Sequence, residues 1–217
     1  LLHDPQVRWF LMLVVGLVIL LCWHLMQQGL GLGDALRQAS FNGVSIMTGT
    51  GYVSANFSAW GGFATTILLI VMFIGGCGGS TTCGIKVFRL QVLAGTAKVQ
   101  ISRLLRPHAV VLAYYNQRPV SVEVMDSVMG FFYLYILGFV LIALFLGMTG
   151  LDFVTALSGA ATSISNVGPG LGEVIGAEGN FSSIPDSAKW VMSFAMILGR
   201  LEIFTVLVML APGFWQR

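Results

Sequence analysis

The pattern of apolar and polar positions along the chain predicts four membrane-crossing stretches and two shorter apolar ones between them. Trp9 to Gln28, Trp60 to about Ile74 with a Gly-rich continuation, Val128 to Met148, and Ala188 to about Leu210 are each apolar over a full or nearly full bilayer span. Ala35 to Met47 and Phe153 to Ile164 are apolar over only about 12 to 13 residues, too short to cross and of re-entrant length. Both short segments follow one start signal, Gly31-Leu32-Gly33-Asp34 and Gly150-Leu151-Asp152. Such an Asp predicts a helix N-cap, because its carboxylate accepts first-turn N–H groups that have no partner within the helix.

The short segments also end alike. Ser45-Ile46-Met47-Thr48-Gly49-Thr50-Gly51-Tyr52 and Thr162-Ser163-Ile164-Ser165-Asn166-Val167-Gly168-Pro169 superpose at a constant offset of 117. The chain therefore reads as an internal repeat: span, short capped helix, polar strand-like loop with glycine, span. The two copies divide it into residues 1–118 and 119–217.

Composition narrows the class. The chain is 56% hydrophobic and 9% charged, where an ordinary soluble domain has about 25% charged residues. Its 27 glycines follow no fixed period, which excludes a fibrous chain and leaves an integral membrane protein. Gln38 to Ile85 is a run of 48 residues with no Asp, Glu, Lys or Arg. A single helix of that length would extend about 70 Å, more than twice the hydrocarbon core, so the run must be broken. With a net charge of +2 and no basic block, a nucleic-acid partner is not indicated. Cys22, Cys77 and Cys83 form neither a zinc-type pair nor a disulfide framework, and His3, His24 and His108 lack ligand spacing and read as packing or interfacial residues. The opening Leu-Leu-His-Asp-Pro-Gln-Val-Arg is not a signal peptide, and the absence of an initial Met predicts a longer parent chain. Trp9, Trp23, Trp60, Trp190 and Trp215 lie near span ends, as expected of interfacial indoles.

Charge orients the repeats. Arg8, Lys86, Arg89, Lys98, Arg103, Arg106, Arg118 and Arg217 fall at the ends and in the central connection, whereas the short-helix side carries only Arg37 and Lys189. The positive-inside rule then puts the ends and the connection in the cytoplasm, with the short helices entering from outside. Asp34, Asp152, Glu173, Glu178 and Asp186 lie on the outer side, where they either concentrate cations or form a simply solvated face. Leu90 to Arg106 is mildly amphipathic with a basic face, suited to the inner membrane surface or a cytoplasmic partner.

Non-helical backbone at membrane depth is tolerated only where protein or a water path surrounds it. A short helix entering from outside points its partly negative C-terminus at the membrane centre, which attracts a cation. Thr48, Gly49, Thr50 and Gly51, with Ser165, Asn166, Val167 and Gly168, are then candidates for replacing an ion's hydration shell with backbone carbonyls. Gly51 and Gly168 permit the dihedrals this needs. The alternative is a pair of ordinary turns between packed helices, which leaves the preceding capped helices and the repeat unexplained.

The second span meets Gly75-Gly76-Cys77-Gly78-Gly79-Ser80-Thr81-Thr82-Cys83-Gly84, five glycines in ten residues. At about 1 kcal/mol each relative to Ala, they end the helix within the membrane. A flexible linker, a phosphate loop and a metal site compete for this stretch. The phosphate-loop pattern fails, because Ile85-Lys86 places the lysine one residue late. Arg200 falls near the middle of the last span, where insertion costs about 2.5–3.5 kcal/mol unless the side chain faces protein or water. It either holds helices together through a carboxylate or loop carbonyls, or sets a positive barrier beside a cation path. Glu202, two residues away, is off its helix face.

The repeat resembles the helix, pore helix, filter loop, helix unit of the Trk/Ktr/HKT superfamily of potassium transporters. Thr48-Gly49-Thr50-Gly51-Tyr52 and Ser165-Asn166-Val167-Gly168-Pro169-Gly170 are similar to the third and fourth filter loops of its bacterial TrkH-type branch. The likeness covers essentially the whole chain and implies an all-α integral membrane protein in the bacterial inner membrane, the C-terminal half of a four-repeat potassium pore. It also implies that the Gly-rich stretch, through Gly75, Gly76, Gly78, Gly79, Ser80, Thr81, Thr82 and Gly84, forms an intramembrane gate with Arg200. Further implications are potassium as substrate with no cofactor, the missing N-terminal half, a homodimer, and a nucleotide-binding RCK/KTN-type cytoplasmic ring. A secondary transporter with a midplane site on discontinuous helices, proton- or sodium-coupled, is the alternative. A membrane hydrolase is poorly supported, since no GxSxG occurs and no span holds a carboxylate pair or a His with a catalytic partner beside it.

Overall fold

The computed structural model describes residues 4–106, 112–116, 118–201 and 203–210. It is helical almost throughout: α1 (Pro5–Gln27), α2 (Leu32–Met47), a 3-10 turn (Phe57–Trp60) running into α3 (Gly61–Met72), α4 (Val87–Leu105), α5 (Val122–Met148), α6 (Phe153–Ser165), α7 (Asp186–Arg200) and α8 (Ile203–Leu210). Two short strands, β1 (Tyr114–Tyr115) and β2 (Arg118–Pro119), pair antiparallel between the repeats, a hairpin the apolar pattern does not signal. Among the described helices, α1 and α5 are long and apolar enough to cross a bilayer. The His3, His108, Glu202, Trp215 and Arg217 of the sequence reading lie outside the described residues.

Each repeat opens with a long helix that packs along its short partner, α1 on α2 and α5 on α6. One core joins Leu17, Leu21 and Leu25 of α1 to Ala35, Ala39 and Ile46 of α2 and to Leu68 and Met72 of α3. The other joins Tyr135, Ile142 and Leu146 of α5 to Ala156, Ala160 and Ile164 of α6 and to Met192 and Ala195 of α7. The cores exchange residues: Ala161, Val167 and Leu171 enter the first, and Ile85 enters the second. Apolar side chains gain little by leaving lipid, so close packing of small residues decides such contacts. Accordingly α6 is buried through Ala156, Gly159, Ala160 and Ala161, and a methyl group on Gly159 would press on Ile175 and Leu146, both at 3.3 Å.

Several expectations need correction. Asp152 caps α6 as expected, accepting from the Thr155 amide at 3.1 Å. Asp34 does not cap α2: the N-cap is Gly31, and Asp34 sits in the first turn, paired with Arg37 at 3.0 Å. Its carboxylate still favours the helix N-terminus, but through the macrodipole. Asp186 is likewise paired, with Lys189 at 2.9 Å, so two of the five carboxylates that the charge pattern assigns to the outer side each lie beside a base. Trp60 is a core residue, 5% exposed, whose carbonyl accepts from Gln28 Nε2 at 2.7 Å. Val128 to Met148 begins six residues earlier, at Val122. The last span is not continuous: it breaks at Leu201 into α7 and α8, so Arg200 ends a helix instead of lying mid-span. The break follows Gly199, the weakest helix former in that segment.

Hydrogen bonding to Thr155 is the main influence holding the Asp152 carboxyl below its ordinary range. The cap's contribution to stability is therefore full above the unfolded carboxyl pKa and disappears as pH falls through the depressed folded value. Asp152→Ala should cost about 1 kcal/mol in a detergent unfolding titration at neutral pH. The difference from the unaltered protein should vanish in strong acid.

Candidate functional site

The offset of 117 is present in the backbone hydrogen bonds as well as the sequence. Thr50 N–H donates to Ser45 O at 2.9 Å and Val167 N–H to Thr162 O at 3.0 Å; Gly49 N–H donates to Ile46 O at 3.1 Å and Asn166 N–H to Ser163 O at 3.3 Å. The dihedrals repeat too, with φ of +65° at Gly49 against +53° at Asn166, and +78° at Gly51 against +115° at Gly168. These loops are consequently not strand-like. Each folds back on its short helix through left-handed residues, and Ser165 belongs to α6 itself.

The consequence for the carbonyls is geometric. Gly51 N–H also turns inward, to Ser45 O at 3.3 Å, and Gly168 N–H reaches Thr162 Oγ1 at 3.0 Å. In a planar trans peptide N–H and C=O point oppositely, so amides directed into the short helix send the preceding carbonyls away from it. Those of Thr48, Gly49, Thr50, Ser165, Asn166 and Val167 are such carbonyls, and none accepts a hydrogen bond from the described residues. Loop and helix are further tied by buried polar side chains. Asn42 accepts from Ser54 N–H at 3.0 Å and donates to Ser54 Oγ at 3.0 Å, while Ser158 Oγ accepts from Leu171 N–H at 2.9 Å.

The two loops meet. A methyl group at Gly51 would overlap the Val167 carbonyl oxygen and stand 3.2 Å from Pro169 Cδ, and one at Gly49 would stand 3.6 Å from the Asn166 oxygen. Gly51 is thus required twice, by its left-handed φ and by the neighbouring loop. Thr48 caps α2, its hydroxyl 2.7 Å from that of Thr50.

The Gly-rich stretch is not a loose linker. Ile74 and Ile85 form a parallel bridge, with Gly75 N–H to Ile85 O at 2.9 Å and Ile85 N–H to Phe73 O at 2.8 Å, which ties off Gly75 to Gly84 as a closed loop. Gly75 permits the crossing, because a methyl group there would overlap the Cys83 oxygen. The loop is moored at both sides: Gly78 N–H donates to Gln6 Oε1 at 2.7 Å, and Arg200 Nη1 donates to Thr81 O at 2.8 Å. Gly76 packs on the Ser80 and Thr82 side chains. A cavity of about 240 Å³ lies against residues Ser80 to Gly84, with Arg89, Tyr135 and Arg200 also on its wall. Gly79 and Gly84 have φ of +81° and +83°.

Three contacts beside the candidate site escaped sequence reasoning. Gly199 carries α7 against the end of α6, where a methyl group would overlap the Ile164 carbonyl oxygen. Asn166 Nδ2 donates to Met196 O at 3.0 Å across the same contact. The Tyr135 and Ser165 hydroxyls meet at 2.7 Å. A glycine beside an arginine in an otherwise apolar stretch, Gly199-Arg200, was the signal available for the first; nothing local announces the others. Gly199→Ala should destabilise the protein by about 1–3 kcal/mol through overpacking, read as a lower detergent unfolding midpoint.

A model of the TrkH family, described as cation transport protein, matches residues 1–217. The chain is 44% identical over 217 residues to the Trk system potassium uptake protein TrkI of Halomonas elongata, covering 100% of this chain and 44% of that protein. It is 40% identical over 216 residues to the potassium uptake protein TrkH of Vibrio parahaemolyticus, covering 98% of this chain and 44% of the relative. The crystal structure of the potassium transporter TrkH from Vibrio parahaemolyticus superposes with a TM-score of 0.89 at 39% identity, over 98% of this chain and 45% of that one. The chain therefore spans a little under half the length of the relatives it matches.

Proposed function

The chain belongs to the TrkH family of cation transport proteins, and from that premise we propose that it is the C-terminal half of a potassium-uptake pore in which the two loops bind the ion. It is an all-helical integral membrane protein. The observation that carries the reading is the polarity of the loops: amides of residues 49–51 and 166–168 are spent on the short helices, leaving six carbonyls without partners among the described residues. Such carbonyls are the groups that replace the water shell of an alkali cation. Potassium is the substrate, and no cofactor takes part.

Gly75 to Gly84 with Arg200 act as the gate. The support is that one guanidinium holds the loop from α7 while Gln6 holds it from α1. In the bacterial inner membrane the basic ends and α4 face the cytoplasm, and α2 and α6 enter from outside. The pore is completed by the N-terminal half of the same chain. The full protein forms a homodimer and docks a nucleotide-binding RCK/KTN-type ring, with lipid as its other partner.

The test is expression of the full-length protein in a bacterial strain stripped of its own potassium uptake. Growth at low potassium with potassium influx is the expected result; absence of influx with the protein present in the membrane overturns the reading. The breaks after α3 and after α7 also suit a carrier with discontinuous helices. Unitary current steps in planar bilayers support the channel and exclude alternating access.

A further inference from the structure

Tyr135 is 2% exposed, and its hydroxyl lies 2.7 Å from that of Ser165, also 2% exposed. The ring is braced by neighbours. Phe73, at the neck of the Gly-rich loop, meets it edge-on with centroids 6.2 Å apart, and Phe131 lies 5.6 Å away. The direction of the phenol is therefore set by packing, and Ser165 immediately precedes the left-handed residue that starts the second loop.

The first repeat lacks this tether. Thr48, the counterpart of Ser165 at the offset of 117, makes only local bonds, to Val44 O at 2.8 Å and to the Thr50 hydroxyl. The counterpart of Tyr135 on α1 is Val14 when the C-caps Gln28 and Thr149 are matched, and Val18 at the loop offset; neither can hydrogen-bond. Among the described residues, the second loop alone is thus anchored to a transmembrane helix by a phenol. A buried serine that loses its partner can rotate to bond a carbonyl one turn back, which bends the end of a helix.

We propose that Tyr135 is a positioning residue for the second ion-binding loop: its hydroxyl pins Ser165 and thereby sets the carbonyls of Ser165 and Asn166, without touching the ion. The inference rests on the reading of residues 165–168 as part of the ion site.

The experiment compares the full-length protein with Tyr135→Phe, Ser165→Ala and the pair, in cells lacking other potassium uptake and at matched membrane abundance. Each single variant should raise the KM for potassium about fivefold, the factor that one buried hydrogen bond supplies, with maximal rate within about twofold. Each should also narrow the preference for potassium over sodium, and the pair should be no worse than either single. Tyr135→Phe with unchanged KM and selectivity overturns the proposal, as does a pair whose effects multiply. Failure of the unaltered protein to take up potassium overturns the loop reading itself, an outcome visible before any variant is compared.

Discussion

Gly51→Ala in the full-length protein is expected to abolish selective potassium uptake while leaving the protein in the membrane. Two costs combine. Alanine at φ of +78° pays about 1–2 kcal/mol for the left-handed backbone, and its methyl group overlaps the Val167 carbonyl oxygen across the loop contact. Overpacking of this kind adds about 1–3 kcal/mol, so the competent loop arrangement should lose about 100-fold or more in population. Either the loops separate or the alanine peptide flips, and both misdirect the carbonyls proposed to bind the ion. Potassium and sodium influx at matched expression is the measurement, with Gly62→Ala as control, since a methyl group there meets nothing within 4 Å. Retention of both KM and selectivity in Gly51→Ala would remove the loops from the ion path.

Loss of the Arg200 latch should act in the opposite direction. Arg200 Nη1 donates to Thr81 O at 2.8 Å and lies 3.5 Å from Cys83 Sγ, one side chain of α7 holding the middle and the end of the Gly-rich loop. A hydrogen bond from a charged donor contributes about 1.5–3 kcal/mol, the lower end where water reaches it, so on the proposed gate reading Arg200→Ala should shift the loop from its moored arrangement toward a released one about tenfold. Steady-state potassium flux should rise, with KM little changed. Arg200→Lys separates the two ways an arginine can act. A lysine keeps the positive charge but has no planar fork with which to hold the loop; wild-type flux in that variant assigns the effect to charge alone, and raised flux assigns it to the latch. Unchanged flux in Arg200→Ala, with normal expression, sinks the gate assignment.

The proposed gate and the proposed ion-binding loops are joined by more than proximity. Phe73 closes the neck of the Gly-rich loop and meets Tyr135, which meets Ser165, while Gly199 beside Arg200 rests on the carbonyl of Ile164. Movement of α7 that frees Thr81 would press on the end of α6. The latch and the second loop are therefore parts of one packed contact.

Much of this was legible from residues alone, for identifiable reasons. Hydrophobic length forced the 48-residue uncharged run to be divided, and the division occurs at the Gly-rich stretch and at the loop after α2. Gly51 and Gly168 stood out because few residues other than glycine are comfortable at positive φ, and both adopt it. The matched loop sequences announced matched hydrogen bonds. Asp34 misled because a capping signal one turn long cannot distinguish an N-cap from a third helical position when glycine is also available to cap. Trp60 misled because interfacial and core indoles share the same sequence context. The continuous last span misled because apolar length says nothing about where a side chain such as Arg200 must turn to find a partner.

What the chain encodes locally is therefore periodicity, helix ends, the repeat and the backbone freedom of a few glycines, all properties of residues within a turn or two of one another. Which carbonyls stay open, that Val167 faces Gly51, that Arg200 reaches Thr81 and that Tyr135 reaches Ser165 depend on separations of 30 to 119 residues being closed by packing. In lipid, where apolar burial contributes little, that closure is decided by how small residues and buried hydrogen bonds fit together in three dimensions.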